Sequence, residues 1–173
     1  MPRTRVSSPG NQADLFNSFD STEKVPLVYR SDPRFESLAT DPAQGYQISI
    51  GSRREAMAGL EAESLGLIKP KIQRGPAEIE FFDANGTPFD VKTPPSPVDG
   101  QRDFFNAKKT GKSLLRQVDK MFPNNNTGVP ENVNVILDST YLNQANHRAL
   151  WNYLNENATQ DQLSRIIEVN VKL

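Results

Sequence analysis

The sequence predicts a single α/β domain built in layers, on three observations. Segments with helical spacing alternate with short extended runs, in the order helix, three strands, helix, strand, helix, strand. One stretch, Glu78-Ile-Glu-Phe-Phe-Asp-Ala-Asn-Gly-Thr-Pro-Phe-Asp-Val-Lys92, reads as a hairpin with one apolar and one charged face. The length of 173 residues, with 36% apolar and 24% charged residues, suits one globular unit with its own core rather than two.

Taken in order, residues 1–45 are rich in Ser, Asp, Asn and Pro and are expected to form a weakly structured lead-in, with one short helix near residues 12–19. The α/β domain then spans 46–173. Residues 46–50 alternate and predict a short strand. Ser52 and Glu55 have capping-box spacing, and Met57, Leu60, Ser64 and Leu67 follow at helical intervals, with Gly66 as a stop. Residues 67–72 predict a strand, and Gly75-Pro76 breaks the chain before the hairpin. Pro94-Pro95-Ser96-Pro97 ends that hairpin, since proline cannot continue a ladder. A second helix is expected over 103–122, with Phe104, Leu114, Leu115, Val118 and Phe122 on its apolar side. After the turn-like 123–128 come a buried strand at 133–137, a helix over 141–155 and a last strand at 165–171.

Composition narrows the chemistry. The absence of cysteine removes disulfides, thiolate metal sites and cysteine nucleophiles. A single histidine, His147, excludes histidine-pair ribonucleases and metal sites with several imidazole ligands. It is expected on the polar side of its helix, at the surface. The formal net charge of −1 gives no global field for a polyanion, so any nucleic acid must be met by a local patch. No apolar run approaches the roughly 18 residues of a membrane span, and the polar N-terminal residues lack a signal-peptide h-region.

The hairpin carries the functional question. Asp83-Ala84-Asn85-Gly86 has the residues of a type I turn with a following left-handed glycine. That loop pairs Asp83 with Thr87, Glu80 with Asp90 and Glu78 with Lys92. Glu78, Glu80, Asp90 and Lys92 then share one face, while Ile79, Phe81, Phe89 and Val91 share the core face. Opposed carboxylates repel. Either the face is simply wet, with Glu78 pairing Lys92, or a hard divalent cation such as Mg²⁺ lies between the acids.

An acidic helix, an acid on one strand and Asp-x-Lys on the next resemble the PD-(D/E)XK superfamily of restriction-endonuclease-like nucleases. The resemblance covers residues 52–138 and implies an αβββαβ core with a mixed central sheet flanked by helices. It implies Glu80 and Asp90 as metal ligands, with Glu78 as the other choice for the first acid, since Pro76-Ala-Glu78 replaces a literal Pro-Asp. Lys92 would assist the attacking water. Glu55 would be the helical acid, with Glu61 and Glu63 as substitutes and the capping box as its competing role. Gln117 matches a polar position on the following helix. The implied cofactor is Mg²⁺, with Mn²⁺ or Zn²⁺ in its place. Lys108, Lys109, Lys112, Arg116 and Lys120 form the one concentrated basic stretch, placed to meet the phosphates of DNA or tRNA. Compact size and the Pro/Asn-rich lead-in are similar to toxin domains of contact-dependent growth inhibition, which act in the cytoplasm of a target bacterium and are restrained by an immunity protein. The rival reading is a non-catalytic interaction module whose acidic hairpin face binds a basic partner. Thr110-Gly-Lys-Ser113 is set aside as a P-loop, because no strand precedes it and Asn106 replaces the first glycine.

Overall fold

The computed structural model describes residues 15–96 and 102–173. It is a mixed α/β fold on a five-stranded sheet whose strands lie, from edge to edge, in the order Gln73–Arg74, Phe81–Phe82, Pro88–Lys92, Asn134–Asp138 and Ile166–Val169. Two short helices, α1 (Leu27–Arg30) and α2 (Phe35–Ala39), lead to a two-residue ladder of β1 (Thr40–Asp41) with β2 (Gln47–Ile48), then to α3 (Ile50–Ser64). The antiparallel meander β3 (Gln73–Arg74), β4 (Phe81–Phe82) and β5 (Pro88–Lys92) follows. Helix α4 (Ala107–Val118) and a small hairpin of β6 (Met121–Pro123) with β7 (Pro130–Asn132) lead to β8 (Asn134–Asp138), which lies parallel to β5. Helices α5 (Gln144–Asn157) and α6 (Gln160–Ser164) precede β9 (Ile166–Val169), parallel to β8. Among the described residues no helix is long and apolar enough to cross a membrane.

The sheet is buried on both faces. Phe81, Phe89, Val91, Ile136 and Val169 pack on one side against Ala56, Met57 and Leu60 of α3. Val135, Leu137 and Ile166 pack on the other against α4 and α5, through Leu114, Val118, Leu150 and Leu154. Gly59 lets α3 lie directly on the sheet, for a Cβ there would stand 2.6 Å from Phe81 Cε2.

Several expectations need correction. The lead-in is not weakly structured over its described part: Phe19, Val25, Tyr29, Phe35 and Leu38 all enter the main core. Residues 1–14 lie outside the described residues. Tyr29 ties this segment to distant elements, its hydroxyl donating to Glu61 Oε1 at 2.7 Å and accepting the Lys172 amide N–H at 2.6 Å. The strand expected at 67–72 begins only at Gln73, because Ile68 and Ile72 are drawn inward from an irregular segment. The second helix spans 107–118. Phe104 stays outside it and is exposed, while Phe122 belongs to β6. His147 is buried, its Nε2–H donating to Glu168 on β9 at 2.8 Å, and the same carboxylate oxygen accepts the Trp151 indole N–H at 2.7 Å.

Candidate active site

The hairpin turn sets the register of the site. Gly86 adopts φ +77°, a left-handed conformation that suits glycine, and its N–H donates to Asp83 O at 2.9 Å. The Asp83 carboxylate accepts the N–H groups of Asn85 and Thr87 at 2.9 and 3.0 Å. Phe81 therefore pairs with Phe89 and Phe82 with Pro88, which leaves Glu80 beside Asp90 as the turn chemistry predicts. Beyond the Phe81–Phe89 pair β4 ends, and the side chain of Glu80 takes over the pairing: its Oε2 accepts the Val91 N–H at 3.1 Å. Ile79 does not join the other core-face residues of the hairpin. It turns to a separate cluster with Phe82 and Val133.

Asp90 and Lys92 rise from β5 on the side covered by α4. In the parallel register Asp90 lies beside Val135, and Lys92 beside Leu137. The face is thus not a wet one: the Asp90 side chain is only 4% exposed. Lys92 Nζ stands 3.2 Å from Asp90 Oδ2, and Gln117 of α4 donates its Nε2–H to the same oxygen at 2.9 Å. One carboxylate oxygen thus receives a cation and an amide, both fixed by regular elements.

Glu55 arrives from α3. The N-cap of that helix is Ser49, not Ser52. Ser49 Oγ accepts the Ser52 N–H at 3.1 Å, and Ser52 Oγ accepts the Ser49 N–H at 2.8 Å. Glu55 is thereby relieved of a capping role and points to the acids. Burial pushes its carboxyl up to about 7, with Asp41 and Asp90 adding to the rise; the Arg74 guanidinium, 3.8 Å away, and a hydrogen bond with Glu80 oppose it. Glu80 is raised further, far above the usual carboxylate range, by burial and then by its hydrogen bond to and the charge of Asp90, with Glu55 adding to both. It keeps its proton at neutral pH.

The sequence reading missed Arg74 of β3, which bonds Asp41 at 3.2 Å and holds the back of the cluster. Nothing local to Gln73-Arg74 distinguishes it from a surface strand end. The substitutes for Glu55 are engaged elsewhere: Glu61 with Tyr29, and Glu63 with Arg34 at 2.6 Å. Glu78 is exposed and lies 3.7 Å from Lys120, so the expected Glu78–Lys92 pair is replaced by Glu78–Lys120 and Asp90–Lys92. The chain turns at residues 76–79 before reaching Glu78's paired position.

Along α4, Lys108, Lys112 and Arg116 are exposed, and Lys109 faces a groove of about 420 Å³ between the end of β5 and the start of the helix. Lys92 lines the same groove, and its contact with the buried Asp90 is what connects the groove to the acid cluster. Among the described residues no three His, Cys, Asp or Glu side chains are spread as a ready-made metal cage. Glu55, Glu80 and Asp90 are instead drawn together by protons, Lys92 and Gln117. As a donor set they offer only carboxylate oxygens, which suit a hard cation such as Mg²⁺ or Mn²⁺. Zn²⁺, which favours nitrogen and sulfur, is poorly matched, since His147 is committed to Glu168.

No protein-family model, curated protein or solved structure matches this chain.

Proposed function

We propose that this chain is a divalent-metal-dependent endonuclease of the restriction-endonuclease-like type, hydrolysing phosphodiester bonds in DNA or tRNA. The observation that carries the reading is convergence: Glu55 from α3, Glu80 before β4, Asp90 and Lys92 from β5, and Gln117 from α4 form one network. The order α3, β3-β4-β5, α4, β8 on a mixed sheet supports the reading, with the small β6–β7 hairpin as an addition between α4 and β8.

Glu80 and Asp90 would hold the cation and Glu55 would complete its surroundings. A bound Mg²⁺ would acidify a water and offset charge on the phosphoryl oxygens. Lys92, held beside Asp90, orients the nucleophilic water and faces the developing charge. Gln117 fixes the carboxylate plane of Asp90 from behind. The exposed lysines of α4 meet substrate phosphates and supply the local positive potential that the net charge lacks. Burial of Asp90 weighs against the interaction-module reading, because an acidic face offered to a basic partner would be open.

The test is incubation of purified protein with plasmid DNA and total tRNA, with Mg²⁺ or with EDTA. Cleavage is expected only with metal, and Asp90→Asn or Lys92→Met should slow it about 100-fold or more while the far-UV circular dichroism spectrum stays that of the wild-type fold. Undiminished cleavage by both variants would sink the assignment. The toxin reading rests on the same site. Expression in the bacterial cytoplasm should arrest growth with the wild-type chain and not with Asp90→Asn, and a cognate immunity protein would relieve the arrest.

A further inference from the structure

The groove beside Lys92 has a composition that phosphate binding does not require. Phe104 is 63% exposed, an uncommon position for a phenylalanine on a charged surface. Pro94 and Pro95 also line the groove, while Lys109, Thr110 and Ser113 of α4 supply its polar side. Apolar surface thus stands within a groove bordered by two lysines, and the polyanion that also carries flat apolar faces is a nucleic acid.

The presentation of Phe104 is built. On one side Asp103 Oδ1 accepts the Phe105 N–H at 2.9 Å, Phe105 packs against the α4–α5 core, and Asn106 caps α4 by accepting the Lys109 N–H at 2.9 Å. The Pro94-Pro95 wall is fixed through Ser96, whose N–H donates to Tyr141 O at 2.8 Å and whose Oγ accepts the Asn143 N–H at 2.8 Å. Asn146 ties the two walls together, donating its Nδ2–H groups to Ser96 Oγ at 3.0 Å and to Asp103 Oδ1 at 3.4 Å. A groove held open in this way is pre-organised.

From this we infer that the groove is a base-binding subsite and that the substrate is presented as an unpaired nucleotide, in a single strand or a loop, with Phe104 as its stacking platform. In a duplex the base faces are closed by their neighbours and cannot reach an aromatic ring. Every unpaired base has a face to offer, so the subsite selects strand state ahead of sequence. The volume of about 420 Å³ lies at the small end of ligand pockets and suits one nucleotide rather than a helix. The direction from Thr110 through Ser113 to Gln117 runs along one face of α4, from the groove to Asp90, so a base seated here places its flanking phosphate toward the acids.

This inference rests on the nuclease reading, and the experiment separates the two. Fluorescein-labelled 12-mers, single-stranded and as the matched duplex, in RNA and DNA, are titrated with the full chain in EDTA and binding is followed by anisotropy. The same oligonucleotides are then cut in Mg²⁺. The single strand is expected to bind more tightly and to be cut faster. Phe104→Ala should weaken single-strand binding roughly 5- to 100-fold while leaving duplex binding and the urea midpoint unchanged. Phe104→Tyr should restore it. Cleavage of both forms at equal rates, or an unaltered Phe104→Ala, overturns the subsite and leaves the nuclease standing. Absence of both binding and metal-dependent cleavage overturns subsite and nuclease together.

Discussion

Glu80→Gln should make the metal-free protein more stable, by an amount that depends on pH in a calculable way. In the unfolded chain this carboxyl ionises near its ordinary value of 4.5, whereas in the folded chain burial, and then Asp90 and Glu55 beside it, keep it protonated at neutral pH. Folding therefore takes up a proton wherever the pH exceeds 4.5, and stability falls as pH rises through that window. Each pH unit costs about 1.4 kcal/mol, so at pH 7.5 the penalty reaches an upper bound of about 4 kcal/mol. Glutamine keeps the shape, can accept the Val91 N–H and donate to Asp90, and carries no such penalty. A gain of about 2–4 kcal/mol is expected at pH 7.5, shrinking to nearly nothing near pH 4.5. Urea unfolding in EDTA at half-unit pH intervals measures it. A variant no more stable than wild type at pH 7.5, or a difference of the same size at pH 5, would refute the buried, proton-bearing Glu80 on which the site reading depends.

Other outcomes follow from the same geometry. Glu55, raised to about 7, and Glu80, raised further, must lose protons before a cation can bind. Calorimetric Mn²⁺ affinity should therefore increase from pH 6 to 8, up to about tenfold per unit for each proton released. Gln117→Ala should lower the cleavage rate about tenfold and leave the KM for substrate nearly unchanged. His147→Ala leaves Glu168 buried with the Trp151 indole, a loss of about 3 kcal/mol readable from the single tryptophan's fluorescence. Gly59→Ala sets a methyl against Phe81 and should cost about 1–3 kcal/mol in a thermal melt.

What the sequence could disclose was what short spans determine. Asp83-Ala84-Asn85-Gly86 contains its own turn geometry, so the register and the neighbouring of Glu80 and Asp90 were legible without the rest of the chain. Gln117 was legible only through the family resemblance, which implies a polar residue on the helix that follows the hairpin. Ser49 and Ser52 are three residues apart and either can cap, and the choice between them depends on where β2 delivers the chain. His147 looked exposed because its partner, Glu168, lies 21 residues later on another element. Arg74 and the Phe104 groove were invisible for the same reason: each is defined by contacts among segments distant in sequence. The early segment misled because its polar composition hid five core residues spread over twenty positions.

The Tyr29 hydroxyl, shared between Glu61 and the Lys172 amide, sets an order of events. Its two partners lie 32 and 143 residues away. During synthesis at about 5–20 residues per second, α3 and the acid-bearing strands can assemble while the Tyr29 contact with β9's trailing residues still has no second half. The early segment is therefore held from one side only until Lys172 has emerged. Completion of the fold is a late, long-range closure, of the kind that slows folding and prolongs exposure of apolar surface. A chain threaded through a narrow passage would meet the same delay on its far side, and the arrival of Lys172 would decide when the early segment is locked in place.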